Sequence, residues 1–328
     1  MTPKKPTTIA QAVNNFIDSL SMARSANTAR TYRNAMQAFL SVLEHKHLPA
    51  DKTFPRGLPE EAISWFALAL KKLSPATERL YLTAAAGFYE YLAAENLATP
   101  NLSRVRMLIR QRARRPGQRL PQFPQGDIDK VLEHAINIAS QPRDDESSRL
   151  RDLRDRAFLL TLADTGLRVH EACGLRRGDV DWREGRAVII GKGDRQAVVR
   201  FSRRSLGALR DYLNARAALD GASGRPLTSL PLFARHDRGA GKKIKPVTTA
   251  TGRNIVNQRV REALGDEAAG TITPHSFRHY FVTIVLKGSG NLKLAQELAR
   301  HKSIAVTQRY AHLSDDELDK GYWEIFEG

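Results

Sequence analysis

Toward the end of the chain, Pro274-His275-Ser276-Phe277-Arg278-His279-Tyr280 is followed by His301 and then by Tyr310-Ala311-His312. Thr273-Pro274 is a helix-opening pair, so His275 and Arg278, three residues apart, fall on one face of one helix. A guanidinium and imidazoles gathered without a carboxylate directly beside them suit a phosphodiester: the cations hold it and offset the extra charge of its transition state. Tyr310 supplies a phenol, whose ordinary pKa is about 10. It becomes a nucleophile where its proton is removed or where clustered cations favour the phenolate. His275 and His279 also have metal-ligand spacing, but the motif has no Glu and no third ligand nearby, so a metal is not expected.

Two earlier positions could join them. In Thr165-Gly166-Leu167-Arg168-Val169-His170-Glu171, Arg168 lies at a helix start with Glu171 one turn on. Such an arginine can fork onto two phosphate oxygens while the glutamate orients it; taken alone, the pair reads first as an ordinary surface ion pair. Lys192 sits between two glycines in Gly191-Lys192-Gly193-Asp194-Arg195. A lysine on a thin turn can enter a groove and protonate a leaving oxygen, although lysine is also an ordinary residue for an exposed turn.

These positions need elements to carry them. Residues 126–328 read as helices around one small hairpin, with strands over residues 186–190 and 196–201 flanking the Gly-Lys-Gly turn. One apolar helix is expected from Leu150 to Asp164, stopping at Thr165-Gly166, and a second from Arg168 to Gly174. Before them, residues 1–103 read as four amphipathic helices: one beginning at Thr8, one capped by Asn27, one opened by Leu58-Pro59-Glu60-Glu61 and one by Ser74-Pro75. Between the two blocks, residues 104–125 read as a basic interdomain linker. Arg104, Arg106, Arg110, Arg112, Arg114, Arg115 and Arg119 occur there without an acidic residue up to Arg119, and are expected to lie against DNA phosphates. The expected fold is mainly α with a small antiparallel β-sheet, in two domains.

Bulk properties agree. The 328 residues carry 52 Lys plus Arg against 35 Asp plus Glu, a net charge of +17, which attracts polyanions such as nucleic acid. The one cysteine, Cys173, lies in an apolar helical stretch and reads as core. A single cysteine excludes an internal disulfide and fits a reducing cytoplasm. No signal-peptide pattern follows Met1, and the longest apolar run, residues 157–163, is too short to span a bilayer. The expected location is cytoplasmic, with the nucleoid.

Taken in order, Arg168 with Glu171, Lys192, His275-x-x-Arg278, His301 and Tyr310 resemble the tyrosine recombinase (lambda-integrase-like) family, over nearly the whole chain. The resemblance implies a SAM-like helical core-binding domain, then a mixed α/β tyrosine recombinase catalytic domain, the two closing on DNA as a C-shaped clamp. It implies that Arg168, Arg278 and His301 hold the scissile phosphate, that Lys192 is the general acid toward the 5′-hydroxyl, that His275 gives acid/base support and that Tyr310 is the nucleophile. It further implies a 3′-phosphotyrosyl link, a Holliday junction, and no cofactor, metal or ATP. The partners implied are double-stranded DNA with an inverted-repeat core site and three further copies of the chain in a tetramer. With no arm-binding domain expected before Thr8, the layout resembles the compact Xer-type enzymes. Residues 314–328, with Leu318, Tyr322, Trp323, Ile325 and Phe326, are expected to dock on the chain's own domain or cyclically on a neighbour.

Three residues depart from the family pattern: Arg300 stands where Gly is common, Phe277 where Leu is common, and His170 where small or aliphatic residues are usual. The activity expected is site-specific recombination on two DNA sites, in integration, excision or dimer resolution. The alternatives are a type IB topoisomerase-like nicking-closing enzyme and a catalytically silent DNA-binding regulator on the same fold.

Overall fold

The computed structural model describes residues 7–114, 125–191, 195–237, 239, 243–301 and 303–308. The chain divides into two units, residues 1–119 and 120–328.

The first unit holds five helices: α1 (Ile9–Ala23), α2 (Ala26–His45), α3 (Ala62–Ala69), α4 (Pro75–Ala94) and α5 (Leu102–Arg112). Their apolar stripes close on a core with Phe16, Phe39, Phe66, Phe88 and Tyr89 at its centre. The expected starts at Thr8 and Ser74 are present. Thr8 forms a capping box with Gln11, and Ser74 caps α4 with Pro75 in the first turn. Two starts differ. Ser25 caps α2 by accepting the Thr28 N–H, while Asn27 lies inside the helix and takes Arg30 instead. α3 begins at Ala62, because residues 59–61 open in tight turns, Ala62 N–H to the Pro59 carbonyl and Ile63 N–H to the Glu60 carbonyl, and the first α-type bond runs from Trp65 N–H to the Glu61 carbonyl.

The fifth helix corrects the expected linker. Val105 and Leu108 are buried at helical spacing between the arginines, so residues 102–112 pack as part of this unit. The arginines are not all free either. Arg104 pairs with Glu61, Arg106 with Glu90 at 2.8 Å, and Arg114 with Glu78 at 2.6 Å. Glu78 is fully buried and also takes the Arg114 N–H and the Lys71 ammonium. Burial pushes its carboxyl up, but Lys71 and Arg114 outweigh this and hold it down at about 2. Arg114 is thus a structural anchor. Arg115 and Arg119 lie outside the described residues.

The second unit runs α6 (Gln125–Ser140), α7 (Glu146–Thr165), α8 (Val169–Gly174), β1 (Val180–Asp181), β2 (Arg186–Gly191), β3 (Arg195–Arg200), α9 (Arg203–Ala215), α10 (Ala217–Gly221), α11 (Thr249–Leu264), α12 (Pro274–Ser289), α13 (Leu292–Ala299) and α14 (Ile304–Gln308). The strands form one antiparallel sheet in the order β1-β2-β3. Its hairpin is in the expected place, with Ala187 opposite Val199 and Gly191 opposite Arg195; the two-residue β1 was not foreseen. Helix α7 is buried on most of its circumference and forms the centre of this unit's core, with Phe158, Leu159 and Leu162 fully buried. Arg259 of α11 forks onto its Asp152 at 2.7 Å and its Asp155 at 2.8 Å, tying α11 to the first half of α7. Helix α7 ends at Gly166, in the left-handed region at φ 58. A side chain there would meet the Phe281 ring of α12 at 2.4 Å, so glycine is required. Cys173 is buried as expected.

Candidate active site

Four chain segments of the second unit meet at one place: the end of α7 brings a carbonyl, and the start of α8, the first turns of α12 and the turn after α13 bring cations. Arg168 occupies the N-cap position of α8. Its backbone N–H donates to Glu171 Oε2 at 2.8 Å and its Nη1 donates to Oε1 at 2.9 Å. The guanidinium is still 45% exposed, whereas the Glu171 side chain is buried. Burial pushes the Glu171 carboxyl up, but the Arg168 N–H, Arg300 and the Arg168 guanidinium outweigh it and keep it ionised, below the usual carboxylate range.

Helix α12 turns two faces to two tasks. Phe277 is fully buried in the core, and Tyr280 donates its hydroxyl to Asp129 at 2.7 Å. The other face carries His275, Arg278 and His279. Arg278 is almost wholly buried, donating through Nη1 to the Gly166 carbonyl at 2.5 Å and through Nη2 to the Ala299 carbonyl. Burial, Arg168 and Arg300 together push its pKa down to about 9. It remains protonated at neutral pH, in a place where positive charge is crowded and an anion would be welcome.

The imidazoles are neutral there. Burial, then Arg278 and Arg168, lower His275. Burial, His275 and Arg278 push His279 down to about 4; its ring meets that of His275 edge-on at 4.2 Å between centroids. His301 follows α13, and its N–H donates to the Gln296 carbonyl at 3.0 Å. Its Nδ1 lies 2.9 Å from the hydroxyl of Thr307, a fully buried residue of α14. Thr307 therefore orients the ring and leaves Nε2 for a ligand. Burial, Arg278 and Arg168 push His301 down to about 4.

Of the residues expected at the site, Arg168, Glu171, His275, Arg278 and His301 are described and share these contacts and fields. Lys192 and Tyr310 lie outside the described residues, as does the tail from Ser314. Three contributors were missed as members of the site. Gly166 supplies a carbonyl acceptor, Thr307 orients His301, and Arg300 donates to both Gly166 and Glu171. The signal for Arg300 was its departure from glycine; Thr307 and the Gly166 carbonyl gave none. Three guanidiniums face one carboxylate, which leaves positive charge uncompensated among the described residues. A phosphodiester moving toward a doubly charged transition state would supply the missing charge.

These depressed imidazoles give a pH prediction. A histidine whose folded pKa lies below its unfolded value binds protons more readily when unfolded, so stability falls with acidification between the two values. The Tm of the free protein is expected to drop as pH falls from about 6.5 toward the folded values of about 4 of His279 and His301. In His301→Gln the drop over that window should be shallower; an unchanged slope would remove His301 from the effect.

No helix among the described residues is long and apolar enough to cross a membrane. The family described as the phage integrase family matches residues 130–317. A tyrosine recombinase XerD of Mycobacterium tuberculosis is 30% identical over 319 residues, covering 92% of this chain and 93% of its own. A tyrosine recombinase XerC of Thermodesulfovibrio yellowstonii is 26% identical, covering 94% of each. Among solved structures, the XerH site-specific recombinase bound to a palindromic difH substrate, in its post-cleavage complex, superposes with a TM-score of 0.66. The two are 17% identical, over 100% of this chain and 99% of that one.

Proposed function

This chain belongs to the phage integrase family and is a site-specific DNA recombinase of the Xer type, and from that premise we propose how its residues divide the chemistry. Arg278, Arg168 and His301 hold the non-bridging oxygens of the scissile phosphate. The Tyr310 hydroxyl attacks phosphorus; the new P–O bond to the phenol forms as the bond to the 5′-oxygen breaks, leaving a 3′-phosphotyrosyl link. The phenolic proton passes to His275, whose neutral state suits it as acceptor. Lys192 gives a proton to the departing 5′-oxygen. One phosphodiester is exchanged for another, so the energy of the bond is kept and neither ATP nor a metal is needed. A second, identical exchange on a partner strand passes through a Holliday junction and requires four copies on two inverted-repeat sites.

The observation that carries this reading is Arg278, a buried guanidinium fixed by two carbonyls in the field of two further guanidiniums and three neutral imidazoles. Exposed arginines of α5, namely Arg104, Arg106, Arg110 and Arg112, are proposed to add phosphate contacts. The surface pairs of Arg104 and Arg106 with carboxylates are cheap to exchange for phosphate.

A nicked suicide duplex carrying the target site tests the reading. A covalent protein–DNA adduct is expected. Sequence-specific binding without an adduct would turn the reading into that of a silent regulator, and relaxation of any supercoiled plasmid would favour a nicking-closing enzyme. The acid is tested separately. Lys192→Ala should cleave slowly on a 5′-oxygen substrate, by roughly 10²–10⁴-fold, and regain most of the rate with a 5′-thiol leaving group, which needs no proton. Equal defects on both substrates would take Lys192 out of the acid role.

A further inference from the structure

Arg300 holds a backbone conformation that arginine rarely adopts. It is the C-cap of α13, at φ 57 and ψ 44, where glycine or asparagine is usual. Its side chain does not escape to solvent but is folded inward and 13% exposed. Nη2 donates to the Gly166 carbonyl at 3.3 Å and to Glu171 Oε2 at 3.2 Å. Nε and Nη1 are buried with no hydrogen-bond partner among the described residues. A strained backbone together with buried, unpartnered donors is a poor arrangement for stability alone.

We propose that Arg300 is a positioning residue for strand cleavage, which fixes Arg168 and Arg278 by sharing the acceptor of each. The proposal rests on the reading of this pocket as the phosphate site. Glu171 has two oxygens. Oε1 takes Arg168 Nη1; Oε2 takes the Arg168 N–H and Arg300 Nη2. With Arg300 on Oε2, the carboxylate cannot close in a two-pronged pair on the Arg168 guanidinium, whose other donors stay available to phosphate. The Gly166 carbonyl is divided likewise between Arg278 Nη1 and Arg300 Nη2. A third guanidinium also raises the positive potential around Arg278 without touching the substrate.

The left-handed backbone separates this role from fold support, because glycine prefers that conformation. Arg300→Gly should keep or raise Tm and bind the site duplex with a Kd within about threefold of the native chain, since phosphate contacts elsewhere dominate affinity. Its single-turnover adduct formation on the suicide duplex should fall by roughly 10–100-fold, the scale of a small misplacement of a reacting group. Arg300→Lys keeps the charge but loses the fork, and should recover only part of that rate. In a Glu171→Gln background the Arg300→Gly defect should shrink, because both changes act through one carboxylate. Native-like cleavage by Arg300→Gly, a lowered Tm, or defects that multiply independently with Glu171→Gln would overturn the proposal. No adduct from the native chain would instead overturn the reading of the site itself.

Discussion

Tyr310→Phe is expected to abolish the covalent adduct on a nicked suicide duplex, a loss of at least about 10⁴-fold, while duplex affinity changes by no more than about twofold. The substitution removes one oxygen and keeps the ring, so packing and phosphate contacts survive. The other tyrosines make poor substitutes. Tyr32, Tyr81 and Tyr91 pack against the first unit's own core, and Tyr89 is fully buried in it. Tyr212 is wholly buried, with its hydroxyl 2.8 Å from His236 Nε2. Tyr280 lies on α12 within the same turns as His275 and Arg278, but its hydroxyl is bound to Asp129, and burial and that carboxylate push its pKa up to about 12. That leaves Tyr322 as the control: Tyr322→Phe should form the adduct at close to the native rate. An adduct that persists in Tyr310→Phe and vanishes in Tyr322→Phe would move the nucleophile to the tail.

Substitution of Arg278 should have the next largest effect. Two of its five N–H groups bind the Gly166 and Ala299 carbonyls, so the fork is fixed before substrate arrives, and the other three are the donors proposed for phosphate. Arg278→Lys keeps the charge but puts one nitrogen where two reach the separate carbonyls, and it has no planar fork for a phosphate. Its single-turnover cleavage is expected to fall by roughly 10³-fold, in the range of a lost transition-state cation or donor. Arg278→Ala should lose about tenfold more, and it leaves two buried carbonyls without their donor, so it should also melt at a lower temperature. Arg278→Lys is therefore the decisive variant, because its charge preserves more of the fold. A Lys variant that melts normally and cleaves within about threefold of the native rate would show that the phosphate is held elsewhere.

Much of this site was legible in the residues because its parts are local. A helix start places Arg168 and Glu171 three apart, and helical period puts His275 and Arg278 on one face while Phe277 and Tyr280 turn inward. The hairpin strands and the stop at Gly166 follow from β-branched runs and a glycine, which act over a few residues. What the residues could not show depends on partners far away in the chain. Arg104, Arg106 and Arg114 looked unopposed, yet their carboxylates come from Glu61, Glu90 and Glu78, between 16 and 43 residues off. The same distance hid α5 itself, whose apolar positions count as a helix only against the core that covers them. Tertiary structure alone decided that Gly166 and Ala299 hold Arg278, that Thr307 orients His301, and that Arg300 turns into the pocket. The chain's residue types and local periods determine which groups can act on a phosphate; only packing between remote segments determines which of them are left free to do so, because a charge is available or occupied according to its neighbours in space.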